Sequence, residues 1–432
     1  MQLVTLRDAE RYLDGLVNLE RRIDFDYASL GLGRIRALLD ATGNPERGLA
    51  CLHIAGSKGK GTVALASEAL LVSAGVRVGT FTSPHLTSWV ERFRIDGADV
   101  AAEPLLAALE RILPAVETLR ADERLRPSFF DVSTALALHV FRDLGVRVAV
   151  MEVGLGGRLD STNAVDSKIS VITSIQLEHT DKLGRTHAAI AGEKAGILRP
   201  GVPVVHGPMC AEALAVIRGR AEALGAPCES IPRIDATSSA GGIRFTLPDG
   251  RVLHSSVLGE HQATNLAIAI RSVERVLGRA LSGVELAALS TLRLSARIEP
   301  FGRVILDSAH TPDSARALRG ALVSAWPRDR WILVLAISAD KDARAILSEL
   351  APLARACVVT STSSGRTLAP ERLAQVAREV GIPEVEVRAD PLTALERARR
   401  RAAALGDRIA IAGSVYLAGA VRPTLVKEQR GG

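Results

Sequence analysis

Between residues 49 and 75 the chain runs from a short apolar stretch, through Gly56-Ser57-Lys58-Gly59-Lys60-Gly61-Thr62, into apolar side chains at helical spacing that stop at Gly75. Strand, glycine-rich loop and helix in this order point backbone N–H groups and a helix N-terminus at one place, which suits a phosphate. Lys60 is then placed to reach the β- and γ-phosphates of a nucleotide, and the Thr62 hydroxyl to ligate an accompanying magnesium ion. The strict Walker spacing is not kept: two residues separate Gly56 from Gly59, and Gly61 stands between Lys60 and Thr62. A glycine-rich turn alone also fits a tight hairpin; the flanking strand, helix, lysine and hydroxyl favour nucleotide binding.

The rest of the chain repeats that alternation. Strands are expected at residues 49–55, 76–82, 146–153, 169–175 and 202–206, with helices at 101–117 and 131–144 between them. This βαβ rhythm predicts a largely parallel sheet covered on both faces. Residues 231–257 break it with two alternating runs around Pro248-Asp249-Gly250, read as a β-hairpin excursion. Helices follow at 265–277 and 280–289. Punctuation at Arg297-Ile298-Glu299-Pro300-Phe301-Gly302 marks a boundary. A second α/β series begins there, with strands at 304–307, 331–336, 356–360 and 408–412 and helices at 313–325, 343–350 and 370–380. A chain of 432 residues exceeds one ordinary core, so two or three domains are expected.

Composition narrows the function classes. The net charge of +6 comes mainly from arginines on predicted helices such as 397–401, and aromatics are only 3% of residues. A nucleic-acid footprint would cluster basic residues with interleaved aromatics, so the surplus reads as a solvated cationic face that also attracts anionic substrates. The four cysteines, Cys51, Cys210, Cys228 and Cys357, lie far apart, and Cys51 and Cys357 read as reduced core residues. Residues 1–20 form an acidic and apolar helix pattern without a signal-peptide core, and no apolar run approaches bilayer length. The expected location is the cytoplasm, with neither membrane nor nucleic acid as partner.

Several constellations could carry chemistry. Glu152 ends the apolar run 148–151 and precedes Gly154-Leu155-Gly156-Gly157; a carboxylate at the carboxyl end of a parallel strand faces the ligand crevice and suits magnesium. It would otherwise cap a turn. The neighbouring strand ends in Gln176-Leu177-Glu178-His179, which puts His179 at the same sheet edge as a ligand candidate. Thr82-Ser83-Pro84-His85-Leu86 and Asp307-Ser308-Ala309-His310-Thr311-Pro312 each follow a strand, and each also reads as turn chemistry. Together they outline a cleft between domains. Glu193-Lys194, by spacing alone, is a solvated surface pair.

In this order the motifs resemble the folylpolyglutamate synthase and dihydrofolate synthase family, a branch of the Mur ligases. The resemblance runs from Leu30 to Leu417 through residues 53–62, 82–86, 151–163, 172–184, 193–197, 261–265, 307–312 and 340–342. It implies an α/β chain with a Mur-ligase-type P-loop ATP-binding domain on a mostly parallel sheet, residues 1–296, and a smaller Rossmann-like C-terminal glutamate-ligase domain, residues 297–432. It implies an ATP-dependent ligase: a pterin carboxylate takes the γ-phosphoryl group, L-glutamate attacks the acyl phosphate, and ADP and phosphate leave. By position, Gly56, Ser57, Lys58, Gly59, Lys60, Gly61 and Thr62 resemble the phosphate cradle. Thr62, Ser83 and Glu152 resemble ligands of one magnesium, and His179 a ligand of a second, with Glu152 near both. Lys194 matches a lysine that the family carbamylates. Asn265 resembles the adenine contact, and Arg297, Asp307 and His310 reach the nucleotide from the C-terminal domain once a hinge near residues 293–302 closes. Ser83, Pro84, His85 and Leu86 resemble the loop that holds the pterin. The resemblance also implies a monomer acting in polyglutamylation and one-carbon metabolism.

The chain departs from the family at Ser57 and Lys58, which replace threonine and asparagine. Asp131 stands in place of glutamate, Thr311 in place of asparagine, and Ser338-Ala339 in place of a glycine. The phosphate chemistry is untouched; the preferred folate form and the hold on the ribose are affected. Dihydropteroate, reduced folates or both remain as acceptors. The nearest enzyme rival is a Mur-type ligase acting on a UDP-muramyl or similar carboxylate, disfavoured because Gly56 lies too near the start for a separate UDP-binding domain. A nucleotide-gated binding protein without ligase activity would be expected to lack one of Lys60, Thr62, Glu152, His179 or Lys194.

Overall fold

The computed structural model describes residues 4–21, 25, 27, 30–362 and 365–431. Residues 1–3 of the N-terminal helical pattern lie outside this set; a helix forms at Leu6–Asp14, where Thr5 and Asp8 make a capping box. That box satisfies N-terminal N–H groups and fixes the start.

The first sheet contains β1 (Ala50–Ala55), β2 (Val78–Phe81), β3 (Phe93–Ile95), β4 (Ala98–Asp99), β5 (Val148–Glu152), β6 (Ser167–Ile172), β7 (Val204–His206) and β8 (Cys228–Ser230). Their order is β4-β3-β2-β5-β1-β6-β7-β8. Pairing is parallel from β2 to β8 and antiparallel at β2–β3 and β3–β4. The β3–β4 hairpin, too short to show a period, was not foreseen. β5 and β6, read from the sequence as neighbours, instead flank β1: Ile54 pairs with Glu152 on one side and Ala55 with Ile172 on the other. Three parallel carboxyl ends therefore converge beside the loop after β1, the place where open α/β sheets bind ligands.

The excursion after residue 231 is a three-stranded antiparallel sheet: β9 (Ala236–Ser239), β10 (Gly242–Thr246) and β11 (Val252–Ser255). The last sheet contains β12 (Glu299–Phe301), β13 (Val304–Leu306), β14 (Trp331–Leu335), β15 (Ala354–Val359), β16 (Glu384–Val387) and β17 (Arg408–Ala412). Its order is β12-β13-β17-β14-β15-β16, parallel except at β12. Alternation sorts its side chains cleanly: Ile305, Leu333, Leu335, Cys357 and Ala410 join one core, while Leu306, Ile332, Val334, Val358 and Ile411 join the other. Both faces are buried, as a parallel sheet requires.

The chain divides into two compact units. One comprises Met1–His85, Trp89–Arg233 and Thr264–Leu289; the other comprises Leu86–Ser88, Ile234–Ala263 and Ser290–Gly432. A linear division at 296/297 assigns β9–β11 to the first part of the chain, whereas by compactness they group with the second.

Candidate active site

β1 ends at Ala55, and the chain turns through Gly56 (φ +149°) and Gly59 (φ +88°) into the helix Lys60–Ser73. Both glycines are required for space as well as for dihedral. A Cβ on Gly56 would stand 1.8 Å from Thr173 Oγ1, and one on Gly59 2.4 Å from Asn265 Oδ1. Asn265 thus sits against the start of the loop helix. The segment after β6 braces the loop: Ser57 N–H donates to the Ser174 carbonyl (2.8 Å), Lys58 N–H to Ser174 Oγ (3.0 Å) and Thr173 Oγ1 to the Lys58 carbonyl (2.6 Å). Ser57 Oγ accepts from Gln176 N–H (3.0 Å). Ser57 and Lys58 therefore use their N–H groups to hold the loop, while Lys60, Gly61 and Thr62 occupy the first turn, where helix geometry provides no intrahelical acceptor.

Lysines crowd this turn. Lys60 Nζ and Lys194 Nζ both donate to the Gly56 carbonyl, at 3.0 and 3.1 Å. Lys194 also lies 3.3 Å from Glu178, and Lys58 Nζ 3.6 Å from the same carboxylate. Lys194, in the helix His187–Ala195, is 2% exposed. Burial above all, then repulsion from Lys60, pushes its ammonium down to about 8, against the pull of Glu178. Burial works to raise the Glu178 carboxyl, but Lys194, Lys60 and Lys58 together hold it below the usual carboxylate value. The surface pairing of Lys194 with Glu193 is overturned: Glu193 instead meets Arg158 (2.8 Å) and Tyr27 (2.9 Å). Glu178 was not assigned a role from sequence, although its position at the carboxyl end of a strand was the available signal.

Glu152, at the end of β5, is buried, and its Oε2 accepts from Ser83 N–H at 3.1 Å. Both its oxygens lie 3.7 Å from where a Cβ on Gly61 would stand. The carboxylate thus lies over the first turn of the loop helix, the turn that carries Thr62. His179 is exposed at φ +47°, at the head of the one-turn helix Thr180–Leu183.

The segment Ser83-Pro84-His85-Leu86 follows β2. His85 Nδ1 accepts from Arg92 Nε at 2.8 Å, and the Arg92 guanidinium makes two bonds to Glu20 and lies 5.0 Å from the Phe129 ring centroid. Arg92 is 1% exposed; nothing in its local sequence distinguished it from a surface arginine. Leu86 packs against a core of the second unit. Asp160 was likewise missed: it accepts from Gly154 N–H, Leu155 N–H, Thr162 N–H and Thr162 Oγ1, fixing the glycine loop after Glu152. Burial pushes its carboxyl up to about 6. Asp131 caps the helix Phe129–Asp143 and accepts from Ser161.

Arg297, Asp307 and His310 come together within the second unit. Asp307, just after β13, accepts from Ile298 N–H (2.7 Å) and Ala309 N–H (2.6 Å). Burial lifts its carboxyl to about 6 against the attraction of Arg297. Arg297 donates to Ser308 Oγ (2.7 Å), and His310 Nδ1 lies 2.8 Å from the Ser308 carbonyl. Ala296 and Ile298, on either side of Arg297, adopt φ of +50° and +51°.

A phosphate loop on a parallel sheet, followed by a second α/β sheet, is the architecture of a Mur-type ligase, and residues 294–415 match the model of the Mur ligase glutamate ligase domain. The chain is 36% identical over 377 residues to the dihydrofolate synthase/folylpolyglutamate synthase of Mycobacterium tuberculosis, covering 81% of this chain and 77% of that one. With the Bacillus subtilis protein of the same name it shares 32% identity over 342 residues, 76% and 80% of the two chains. The solved structure of Mycobacterium tuberculosis folylpolyglutamate synthase complexed with ADP and AMPPCP superposes with a TM-score of 0.88 at 34% identity, over 97% of this chain and 98% of that one. The chain belongs to the folylpolyglutamate synthase/dihydrofolate synthase family and is an ATP-dependent ligase.

Proposed function

We propose that the protein joins L-glutamate to dihydropteroate and to reduced folates, using ATP. The observation that carries this reading is the gathering of Lys58, Lys60 and Lys194 around the single carboxylate of Glu178, at a helix N-terminus. In the ligand-free protein three ammonium groups share that carboxylate; once Lys194 is carbamylated, Lys58, Lys60 and the free N–H groups of the first helical turn remain to meet a polyphosphate. Lys60 faces the charge that develops on the transferred phosphoryl group, and a preorganised cation there lowers the barrier. The segment from Ser83 to Leu86 holds the pterin, its His85 fixed from behind by Arg92. Asn265 meets the adenine, and Arg297, Asp307 and His310 act on the nucleotide. The enzyme works as a monomer in the cytoplasm; among the described residues no helix is long and apolar enough to cross a membrane.

The donors around Glu152 suit one magnesium ion, and a second is part of the proposal. Thr62, Ser83 and Glu152 would hold the first, since the Glu152 carboxylate lies over the first helical turn with one oxygen fixed by Ser83 N–H. His179 would help hold the second. Bound there, magnesium neutralises phosphate oxygens. Lys194 is proposed to be carbamylated. Its free amine attacks carbon dioxide, a C–N bond forms, and the nitrogen releases a proton, leaving an anionic carbamate. A buried amine whose ammonium is pushed down to about 8 is a competent nucleophile near neutrality. The competing state is the ammonium paired with Glu178, which the ligand-free geometry accommodates.

Phosphate release from the purified protein with ATP and L-glutamate tests the main reading. Release is expected with both dihydropteroate and tetrahydrofolate. Release with neither, but with a UDP-muramyl acceptor, replaces the folate assignment with the other Mur-type activity.

A further inference from the structure

Away from the phosphate loop, His187, Cys210 and Glu212 each offer one ligand atom, all within 4.8 Å of one another. His187 opens the helix that carries Lys194, while Cys210 caps, and Glu212 lies in the first turn of, the neighbouring helix Ala211–Ala223. His187 Nδ1 stands 3.8 Å from Glu212 Oε2, and the other Glu212 oxygen accepts from Ala188 N–H at 3.1 Å. That second bond orients the carboxylate, as outer partners do in metal sites. Tetrahedral zinc, with bonds of about 2.0–2.3 Å, sets its ligand atoms roughly 3.3–3.6 Å apart. His187 is half-buried and Cys210 and Glu212 are exposed, so their side chains have room to rotate toward that spacing. One imidazole, one thiolate and one carboxylate suit a borderline metal, and a thiolate disfavours magnesium. Thiolate and carboxylate together neutralise a dication, offsetting the repulsion from two helix N-termini.

We propose that His187, Cys210 and Glu212 form a site for zinc or a similar transition-metal dication, with water completing the shell, that ties together the starts of these two helices. Cobalt(II) titration of the full-length protein, stripped of metal and kept reduced, reads the site directly. One cobalt per chain is expected to bind with a near-ultraviolet thiolate-to-metal band that zinc abolishes and a thousandfold excess of magnesium does not. Cys210→Ser is expected to lose the band while keeping wild-type phosphate release with magnesium. Cys228→Ser, which removes the other exposed cysteine, is expected to keep the band. Losing even an outer partner weakens metal binding about 10–100-fold, so His187→Ala is expected to weaken cobalt by at least that much. No band in the wild type, a band that survives in Cys210→Ser, or equal affinity in His187→Ala overturns the site.

Discussion

Around Gly56–Thr62 the chain relaxes its backbone and crowds its charges; around Arg297 it does the reverse. At the phosphate loop the positive dihedrals fall on glycines, which adopt them without a steric penalty, while Lys58, Lys60 and Lys194 compete for Glu178. At the second site Arg297 and Asp307 attract each other, and two backbone N–H groups complete the carboxylate. There the unfavourable element is the backbone: Ala296 and Ile298 hold left-handed φ, a conformation that costs on the order of 1–3 kcal/mol per non-glycine residue and is an outlier for a β-branched side chain. On the proposed reading, the first region is balanced only when an anion arrives. The second is set before any ligand does. On that reading, a site that tightens on phosphate and a site that presents Arg297 at a fixed angle store free energy in different parts of the chain.

The strongest way to break the comparison is to remove charge from the first region. Lys60→Ala and Glu152→Gln are each expected to slow ligation by roughly a hundred- to thousandfold, the usual loss for a preorganised electrostatic group, with an unchanged circular-dichroism spectrum. Wild-type turnover by either variant under limiting magnesium refutes the site. Lys194→Ala comes next, with a loss on the order of a hundredfold that acetate partly restores. A surface pair would contribute only about 0–1 kcal/mol, so a fully active variant ends the carbamate proposal. The pH dependence separates carbamate from ammonium. With 13C-labelled carbon dioxide, a carbamate resonance should grow as pH rises through about 8, where the buried ammonium loses its proton, and should be missing from Lys194→Ala.

These contrasts also explain what could be read from the sequence. The phosphate loop was legible because glycine, lysine and hydroxyl chemistry is local: strand, loop and helix lie within residues 50–73. Glu152 was legible because a strand end predicts its surroundings. The partner of Lys194 was not, since Glu178 reaches it only when the loop after β6 crosses beside β1, and sheet order is not written in local periodicity. Arg92 was hidden for the same reason, its partners Glu20, His85 and Phe129 coming from three segments. Nothing in Ala296-Arg297-Ile298 signals left-handed φ, because the residues that would mark it, glycine and asparagine, are missing there.

A smaller effect should appear in stability against pH. The Asp307 carboxyl titrates near 6 in the fold against 3.8 as the ordinary value. Between these values the folded state keeps a proton that the unfolded chain has released, so this contribution is complete below 3.8 and lost as pH rises through 6. Asp307→Asn removes that proton. Its unfolding free energy in urea should therefore fall less than the wild type's across this window, by up to about 3 kcal/mol. Parallel curves would mean that the carboxyl is not held up by burial.

The smallest expected change in stability sharpens the comparison most. Ala296→Gly should relieve left-handed strain of about 1–2 kcal/mol. Against this stand the extra freedom of glycine in the unfolded chain, roughly 0.5–1 kcal/mol, and one buried methyl group, about 0.8 kcal/mol; Ala296 is 1% exposed. The terms nearly cancel, so the denaturation midpoint should barely move. Arg297, however, loses a constraint on one side, and its bond to Ser308 Oγ becomes one of several accessible arrangements. KM for ATP should rise several-fold while kcat with saturating ATP stays close to wild type, because the arginine must be ordered on binding instead of beforehand. A destabilised Ala296→Gly protein would show that the left-handed turn is comfortable for alanine here. An unchanged KM would show that the strain serves the packing of β12 and β13 and not the placement of Arg297.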